Sequence, residues 1–204
     1  YNYGRQLNPT VTALQKRISS MEDGIASVAF GTGMAAISST ILSLLRAGDH
    51  IVSSAFLFGN TNSFFGTLQR LGIEVSFVDA TDVKNIEDAI QKNTRLVFAE
   101  TIANPVTQIS DLKRIGNLCE LENLIYMVDN TMTSPHLFRP KNVKASLVIN
   151  SLTKYIGGHG NALGGVVTDT GLYDWSTFEN ILETYRSEDS AVWGITQIKK
   201  KGLR

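Results

Sequence analysis

Cysteine is almost missing from this sequence. The 204 residues hold one, Cys119, so no internal disulfide can form, and a reducing, cytoplasmic setting is the simplest expectation. Charge of either sign is not in excess: 19 Lys and Arg balance 19 Asp and Glu. That balance removes the electrostatic argument for nucleic acid, an anionic membrane or a strongly acidic partner. No apolar run approaches membrane-spanning length, and no charged-then-apolar leader opens the chain. Histidine is scarce as well. His159 stands among glycines with no second His, Cys or carboxylate at ligand spacing, so no metal site is expected.

What is present is ordinary for a globular protein: 43% hydrophobic and 19% charged residues, in a chain long enough to bury a substantial core. The sequence starts at Tyr1 without Met and stops at Lys201-Gly202-Leu203-Arg204, directly after an apolar helical stretch. Neither end reads as a natural boundary, so residues 1–204 are expected to be one large domain of a longer protein.

Short apolar runs alternate with segments at helical spacing. Val11, Leu14, Ile18 and Met21 follow the rhythm of a helix face, with Asn8 as N-cap and Pro9 in the first turn. Val28-Ala29-Phe30 reads as a strand that runs into Gly31-Thr32-Gly33 and a helix carrying Ile37, Ile41, Leu44 and Leu45. Further strands are expected at His50–Ser53, Ile73–Val78, Arg95–Ala99, Leu124–Val128, Leu147–Asn150 and Gly165–Thr168. Intervening helices are marked by Phe64/Phe65/Leu68, by Val83/Ile86/Ile90, and by Leu112/Ile115/Leu118 behind a Ser110 cap. The strands are uninterrupted Val/Ile/Leu/Phe runs, so both sheet faces should be covered. The expectation is an α/β fold, a mostly parallel, doubly wound sheet with helices on both faces. In the tail, Trp175, Phe178, Ile181, Leu182 and Tyr185, then Trp193, Ile195 and Ile198, predict helix packed on the sheet or on a missing domain.

In such a sheet the ligand lies beyond the carboxyl ends of the strands. Four of those ends are polar. Gly31-Thr32-Gly33-Met34-Ala35-Ala36 opens a helix, where free N–H groups and the helix dipole favour a phosphate. Glu100-Thr101-Ile102-Ala103-Asn104-Pro105, Asp129-Asn130-Thr131 and Asn150-Ser151-Leu152-Thr153-Lys154-Tyr155 end the others. Each taken alone has a bland reading: a turn, an Asx cap, a solvated lysine. Together they supply a lysine, a carboxylate and an anion site. Those are the three things an imine-bound pyridoxal 5'-phosphate needs, the carboxylate keeping the pyridine nitrogen protonated. On this reading Lys154 holds the cofactor, Asp129 faces its ring nitrogen, and the start of the Gly33 helix with Ser151 and Thr153 takes the phosphate. Gly31-x-Gly33-x-x-Ala36 also satisfies a dinucleotide fingerprint, but the second strand, ending Ser53-Ser54, lacks the acidic residue that reading requires.

The motifs resemble the Cys/Met-metabolism, or transsulfuration, group of fold-type I (aspartate aminotransferase-like) pyridoxal-phosphate enzymes. The resemblance runs through Tyr3-Gly4-Arg5, Asn8-Pro9-Thr10, Thr32–Ala36, Phe58-Gly59-Asn60-Thr61, Glu100–Pro105, Val128–Thr131 and Ser151–His159. It implies that Lys154 is the imine lysine and proton carrier and that Asp129 pairs with the ring nitrogen. The Gly33 and Met34 amides, with Ser151 and Thr153, would hold the phosphate, and Asn104 would contact the phenolic oxygen. Thr131 is counted with the cofactor-binding residues. Tyr3 and Arg5 would reach the phosphate of a neighbouring subunit, because family sites are shared in dimers that pair into tetramers. The family has Tyr where this chain has Phe58, which keeps a stacking ring and loses the ionisable hydroxyl. The family's C-terminal domain, which holds the substrate carboxylate, is absent from these residues. Gly157–Gly165 followed by Tyr173-Asp174-Trp175 is most similar to O-acetylhomoserine sulfhydrylases. The implied activity is γ-replacement on an O-acylhomoserine, a small amino-acid substrate, of the O-acetylhomoserine sulfhydrylase or cystathionine γ-synthase type. A β- or γ-lyase acting on cystathionine or methionine, and a truncated piece without chemistry, stay open.

Overall fold

The computed structural model describes residues 3–4 and 8–202. Helix α1 (Pro9–Met21) begins as its sequence predicts: Asn8 Oδ1 accepts from the Thr10 and Val11 amides, and Pro9 fills the first position without wasting a donor. The described residues then form seven strands, β1 (Ala26–Phe30), β2 (His50–Ser54), β3 (Glu74–Val78), β4 (Thr94–Glu100), β5 (Ile125–Asp129), β6 (Leu147–Ser151) and β7 (Gly165–Asp169). Between them lie α2 (Gly33–Leu44), α3 (Gly59–Leu68), α4 (Val83–Ala89), α5 (Leu112–Leu121) and the short α6 (Ser134–Leu137), and α7 (Trp193–Gly202) closes the chain.

All seven strands join one sheet in the order β1-β7-β6-β5-β4-β2-β3. The run from β3 to β6 is parallel, whereas β7 is antiparallel to both β6 and β1. Successive residues of the central strands face opposite layers, as a pleated strand requires. Leu96, Phe98, Ile125, Met127, Leu147 and Ile149 pack under α2, α3 and α7, while Val97, Ala99, Tyr126, Val128 and Val148 pack under α4 and α5. Phe65 of α3 meets Phe98 edge-on, with centroids 5.1 Å apart at 77°. Helices on both faces explain why those strands read as unbroken apolar runs. This is the fold-type I α/β arrangement that the motifs implied.

Three details depart from expectation. Asp111, not Ser110, caps α5, with its side chain accepting from the Arg114 amide; the longer carboxylate reaches the third residue on. Residues 173–192 are not a continuous helix but short 3₁₀ turns at Trp175–Thr177, Glu183–Tyr185 and Ser190–Val192. Their aromatic side chains are buried by wedging rather than by helical facing. Trp175 lies against Gly194 of α7, where an added Cβ would come within 2.2 Å of its ring, and it packs edge-on with Tyr173 and Phe178. Finally, the strand before the Gly31–Ala36 turn is an antiparallel edge strand, and β2 ends in Ser54. A dinucleotide site would place that strand centrally with an acid at the neighbouring tip, so the fingerprint is coincidental. Among the described residues no helix is long and apolar enough to cross a membrane, and no group of three or more His, Cys, Asp or Glu could hold a metal.

Candidate active site

The carboxyl ends of β4, β5 and β6 and the start of α2 surround a cleft of about 750 Å³. Gly33, Met34, Phe58, Asn104, Asp129, Thr131, Ser151, Thr153 and Lys154 all line it. The sequence-predicted residues, scattered over 120 positions, are thus brought to one place. Tyr3 is exposed and is not among the lining residues, and Arg5 lies outside the described residues.

At the start of α2, Thr32 caps the helix: its Oγ1 accepts from the Ala35 amide at 3.0 Å and its carbonyl from Ala36 at 3.0 Å. The Gly33 and Met34 N–H groups have no intrahelical acceptor and stand at the positive end of the helix dipole. Ser151, at the tip of β6, presses against this point. A Cβ on Gly33 would lie 2.8 Å from the Ser151 Cβ, so only glycine lets the helix start sit beside the strand end. Ser151 Oγ has no protein partner among the described residues, which leaves it to complete an anion cradle. Thr153 differs, since its hydroxyl donates to the Gly164 carbonyl at 3.2 Å and accepts from the Gly164 amide at 3.1 Å. It pins the glycine-rich loop with the hydrogen that the sequence reading gave to a phosphate.

Lys154 follows on a one-turn π-helix, Leu152–Ile156, and its own backbone leaves helical values at φ −91° and ψ −122°. That break turns the lysine out of the sheet's end and into the cleft wall. On β5, Asp129 Oδ1 accepts from the Thr131 amide at 2.9 Å, and Thr131 Oγ1 accepts from the Ser151 amide at 2.8 Å. Thr131 therefore joins the carboxylate to the anion cradle. The Thr131 hydroxyl also interacts with the Asp129 carboxyl. Burial holds this carboxyl above the ordinary carboxylate range, against the lowering effect of Thr131.

Glu100 was read as a strand-end residue and given no role. It is aligned with Asp129 in the β4–β5 ladder and is only 5% exposed. Its Oε1 accepts from the Phe58 amide at 2.7 Å and its Oε2 from the Asn104 amide at 3.3 Å, so one carboxyl holds two walls of the cleft. Burial first, and the Asp129 charge second, push its pKa up to about 7. The signal was present in the sequence as an acid at the end of a buried strand.

Two carboxyls on adjacent strand ends, a free pair of helix-start amides, a hydroxyl and a lysine are the donors and acceptors that pyridoxal phosphate requires. Its protonated ring nitrogen would offer Asp129 both a cation and an N–H, and its phosphate an acceptor for the amides. The residues fit the group.

Fold and site together match the fold-type I pyridoxal-phosphate enzymes. The chain belongs to the Cys/Met metabolism PLP-dependent enzyme family, whose model it matches over residues 1–190. It is 40% identical over 198 residues to an O-acetyl-L-homoserine sulfhydrylase of Corynebacterium glutamicum, covering 95% of this chain and 45% of that protein. It is 42% identical over 181 residues to an L-methionine gamma-lyase of Fusobacterium nucleatum subsp. polymorphum, covering 87% of this chain and 46% of that one. The solved O-acetylhomoserine sulfhydrylase of Wolinella succinogenes superposes with a TM-score of 0.87 at 38% identity, over 96% of this chain and 55% of that one. The chain spans about half the length of the curated relatives it matches.

Proposed function

We propose that the protein containing this chain is a pyridoxal-phosphate-dependent transferase of sulfur amino-acid metabolism that exchanges the γ-ester of an O-acylhomoserine for a sulfur nucleophile. The observation that carries the proposal is the convergence of Lys154, Asp129 and the α2 start in one cleft, in a chain similar to sulfhydrylases over most of its length.

When bound, the cofactor supplies an electron sink for carbanionic chemistry beside the α-carbon. The chain supplies the rest. Lys154 Nζ would hold the cofactor, then move protons at the substrate's Cα and Cβ as a general acid–base. Asp129 would keep a proton on the ring nitrogen. The Gly33 and Met34 amides with Ser151 would fix the phosphate, Asn104 the phenolic oxygen, and Thr131 the mutual placement of Asp129 and Ser151. Thr153 would support the site through Gly164.

Phe58 favours an ester over a thioether substrate. It lines the cleft where the family places a tyrosine, and a phenyl ring has no proton to give or take. A carboxylate leaves readily as an anion, whereas a thiolate leaving group gains more from an acid at that position. The similarity to a methionine gamma-lyase supports the alternative, elimination from cystathionine or methionine with the same residues. A cytoplasmic homo-oligomer, a dimer of dimers with Tyr3 and Arg5 reaching a neighbouring subunit's phosphate, belongs to the same proposal, as does the reading of residues 1–204 as its cofactor-binding large domain. Assay of the full-length protein with O-acetylhomoserine plus sulfide, against cystathionine alone, separates the readings. Homocysteine from the first mixture is the expected result. Turnover of cystathionine alone would replace γ-replacement with the lyase reading.

A further inference from the structure

Beneath the cleft, and outside the cofactor-binding set, lies a carboxyl with no accessible surface. Glu22, the residue that ends α1, is 0% exposed. Its Oε1 accepts from Asn130 Nδ2 at 3.0 Å and from Asn150 Nδ2 at 2.6 Å. Those two asparagines are the immediate neighbours of the site: Asn130 follows Asp129 on β5, and Asn150 precedes Ser151 on β6, four residues before Lys154.

Asn130 is tied further. Its Nδ2 also donates to the Phe138 carbonyl at 2.9 Å, its backbone N–H donates to Ile149 O at 2.8 Å, and its Oδ1 accepts from the Thr133 hydroxyl. Thr133 also lies 3.0 Å from the Thr101 hydroxyl, and the Thr101 amide donates to the Asp129 carbonyl at 3.0 Å. Three strand tips, those of β4, β5 and β6, are therefore bound into one network, and Glu22, the C-cap of α1, ties that helix to it. We propose that Glu22 is a positioning residue for the cofactor site: its carboxyl joins Asn130 to Asn150 and sets the spacing between the strand ends that carry Asp129 and Lys154. This rests on the reading of the cleft as a pyridoxal-phosphate site.

Two buried atoms of the same pair of side chains, Glu22 Oε2 and Asn150 Oδ1, have no hydrogen-bond partner. A buried carboxylate oxygen left unpaired is costly, most of all when it carries charge. A neutral side chain at this place avoids an unpaired buried charge while leaving Oε1 to accept from both asparagines. Burial raises the Glu22 pKa, acting against its two asparagine donors and the more distant charge of Arg139. The contacts that join the two strand ends run through Oε1 as acceptor, and they need no charge on Glu22. It follows that glutamine, a neutral side chain of the same shape with an acceptor and a donor, should replace Glu22, whereas leucine or the shorter aspartate should not.

The test measures pyridoxal-phosphate affinity and the visible circular dichroism of the bound cofactor, which reports its orientation. Wild type, Glu22→Gln, Glu22→Leu and Glu22→Asp are compared with Ile86→Val, a core change on the α4 face that lowers stability without touching the network. Glu22→Leu is expected to weaken binding about ten- to a hundredfold and to change the dichroism, since small misplacements of site groups have effects of that size. Glu22→Gln should keep both within about threefold of wild type, and Ile86→Val should leave them unmoved. Asn150→Ala should weaken binding too, and combining it with Glu22→Leu should add little, because the two act through one contact. If Glu22→Leu fails to fold, Glu22→Gln against Glu22→Asp decides: equal affinity and dichroism in those two overturn the proposal. So do unchanged readings in Glu22→Leu. Wild-type protein that takes up no pyridoxal phosphate overturns the reading of the cleft and this inference with it.

Discussion

His50 and Asp129 are titratable groups on parallel strands of one sheet, at opposite ends of it. His50, at the start of β2, is fully buried and uses both ring nitrogens, with Thr94 Oγ1 2.8 Å from Nδ1 and Ser76 Oγ 2.9 Å from Nε2. Its acidic neighbours at that end are bonded too. Asp49 accepts from the Arg46 amide at 2.8 Å and Asn180 Nδ2 at 2.7 Å, and its Oδ1 lies 3.5 Å from Arg95. Asp169, at the end of antiparallel β7, accepts from the Gly171 amide and from Trp175 Nε1. Ser151 and the first amides of α2, at the other end, keep bonding capacity unused. The lesson is that burial of polar groups does not mark function by itself. Position at the carboxyl ends, in the wall of a cleft, separates Asp129 and Ser151 from the bonded, cleft-free acids and histidine at the amino ends.

Several changes would break or sharpen that contrast. The largest effect is expected from Lys154→Ala, which should abolish the cofactor's visible absorbance and lower turnover by about three orders of magnitude or more, with secondary structure intact by circular dichroism. Asp129→Asn should lower kcat by about a hundredfold or more, because a neutral amide cannot hold a proton on the ring nitrogen. The thermal midpoint of the cofactor-free protein should stay level or rise, since a carboxyl destabilised by burial has been removed. A fall in midpoint with normal kcat would exchange the roles assigned to the two ends.

At the amino end the pattern should invert. Asp169→Ala should cost about 1–3 kcal/mol of stability by leaving Trp175 Nε1 and the Gly171 amide unpaired, with pyridoxal-phosphate affinity unchanged. A changed affinity would show that the ends are coupled.

The remaining effects are those of pH. Burial holds the His50 pKa below its ordinary 6.5, against the raising effect of Glu74, so the unfolded chain binds a proton more readily than the folded one. The contribution of His50 to stability is therefore complete above about pH 6.5 and is lost as pH falls. Glu100, raised to about 7, has the opposite sign. Its folded state keeps a proton that the unfolded chain releases near 4.5, so its contribution is complete at low pH and declines as pH rises toward 7. Denaturant midpoints recorded from pH 5 to 8 should lose their alkaline decline in part with Glu100→Gln and their acidic decline in part with His50→Asn.

Much of this was legible in the sequence, for identifiable reasons. The runs in β2, β4, β5 and β6 were readable to within a residue or two because both sheet faces are covered, and the site was readable because its residues sit at the tips of those runs. The direction of β7 was not, since an apolar run carries no sign. Residues 173–192 misled because aromatic side chains three apart, such as Trp175 and Phe178, also suit 3₁₀ turns wedged against α7. The role of Glu22 was out of reach. Its partners lie 108 and 128 positions away, and Met21-Glu22-Asp23 reads as an ordinary solvated helix end.

Borohydride reduction of the pyridoxal-phosphate-loaded protein, followed by peptide mass mapping, tests the central claim most directly. The account predicts one reduced pyridoxyl adduct, on Lys154, with loss of the visible band. An adduct on another lysine, or a protein that stays colourless with added pyridoxal phosphate, would contradict it.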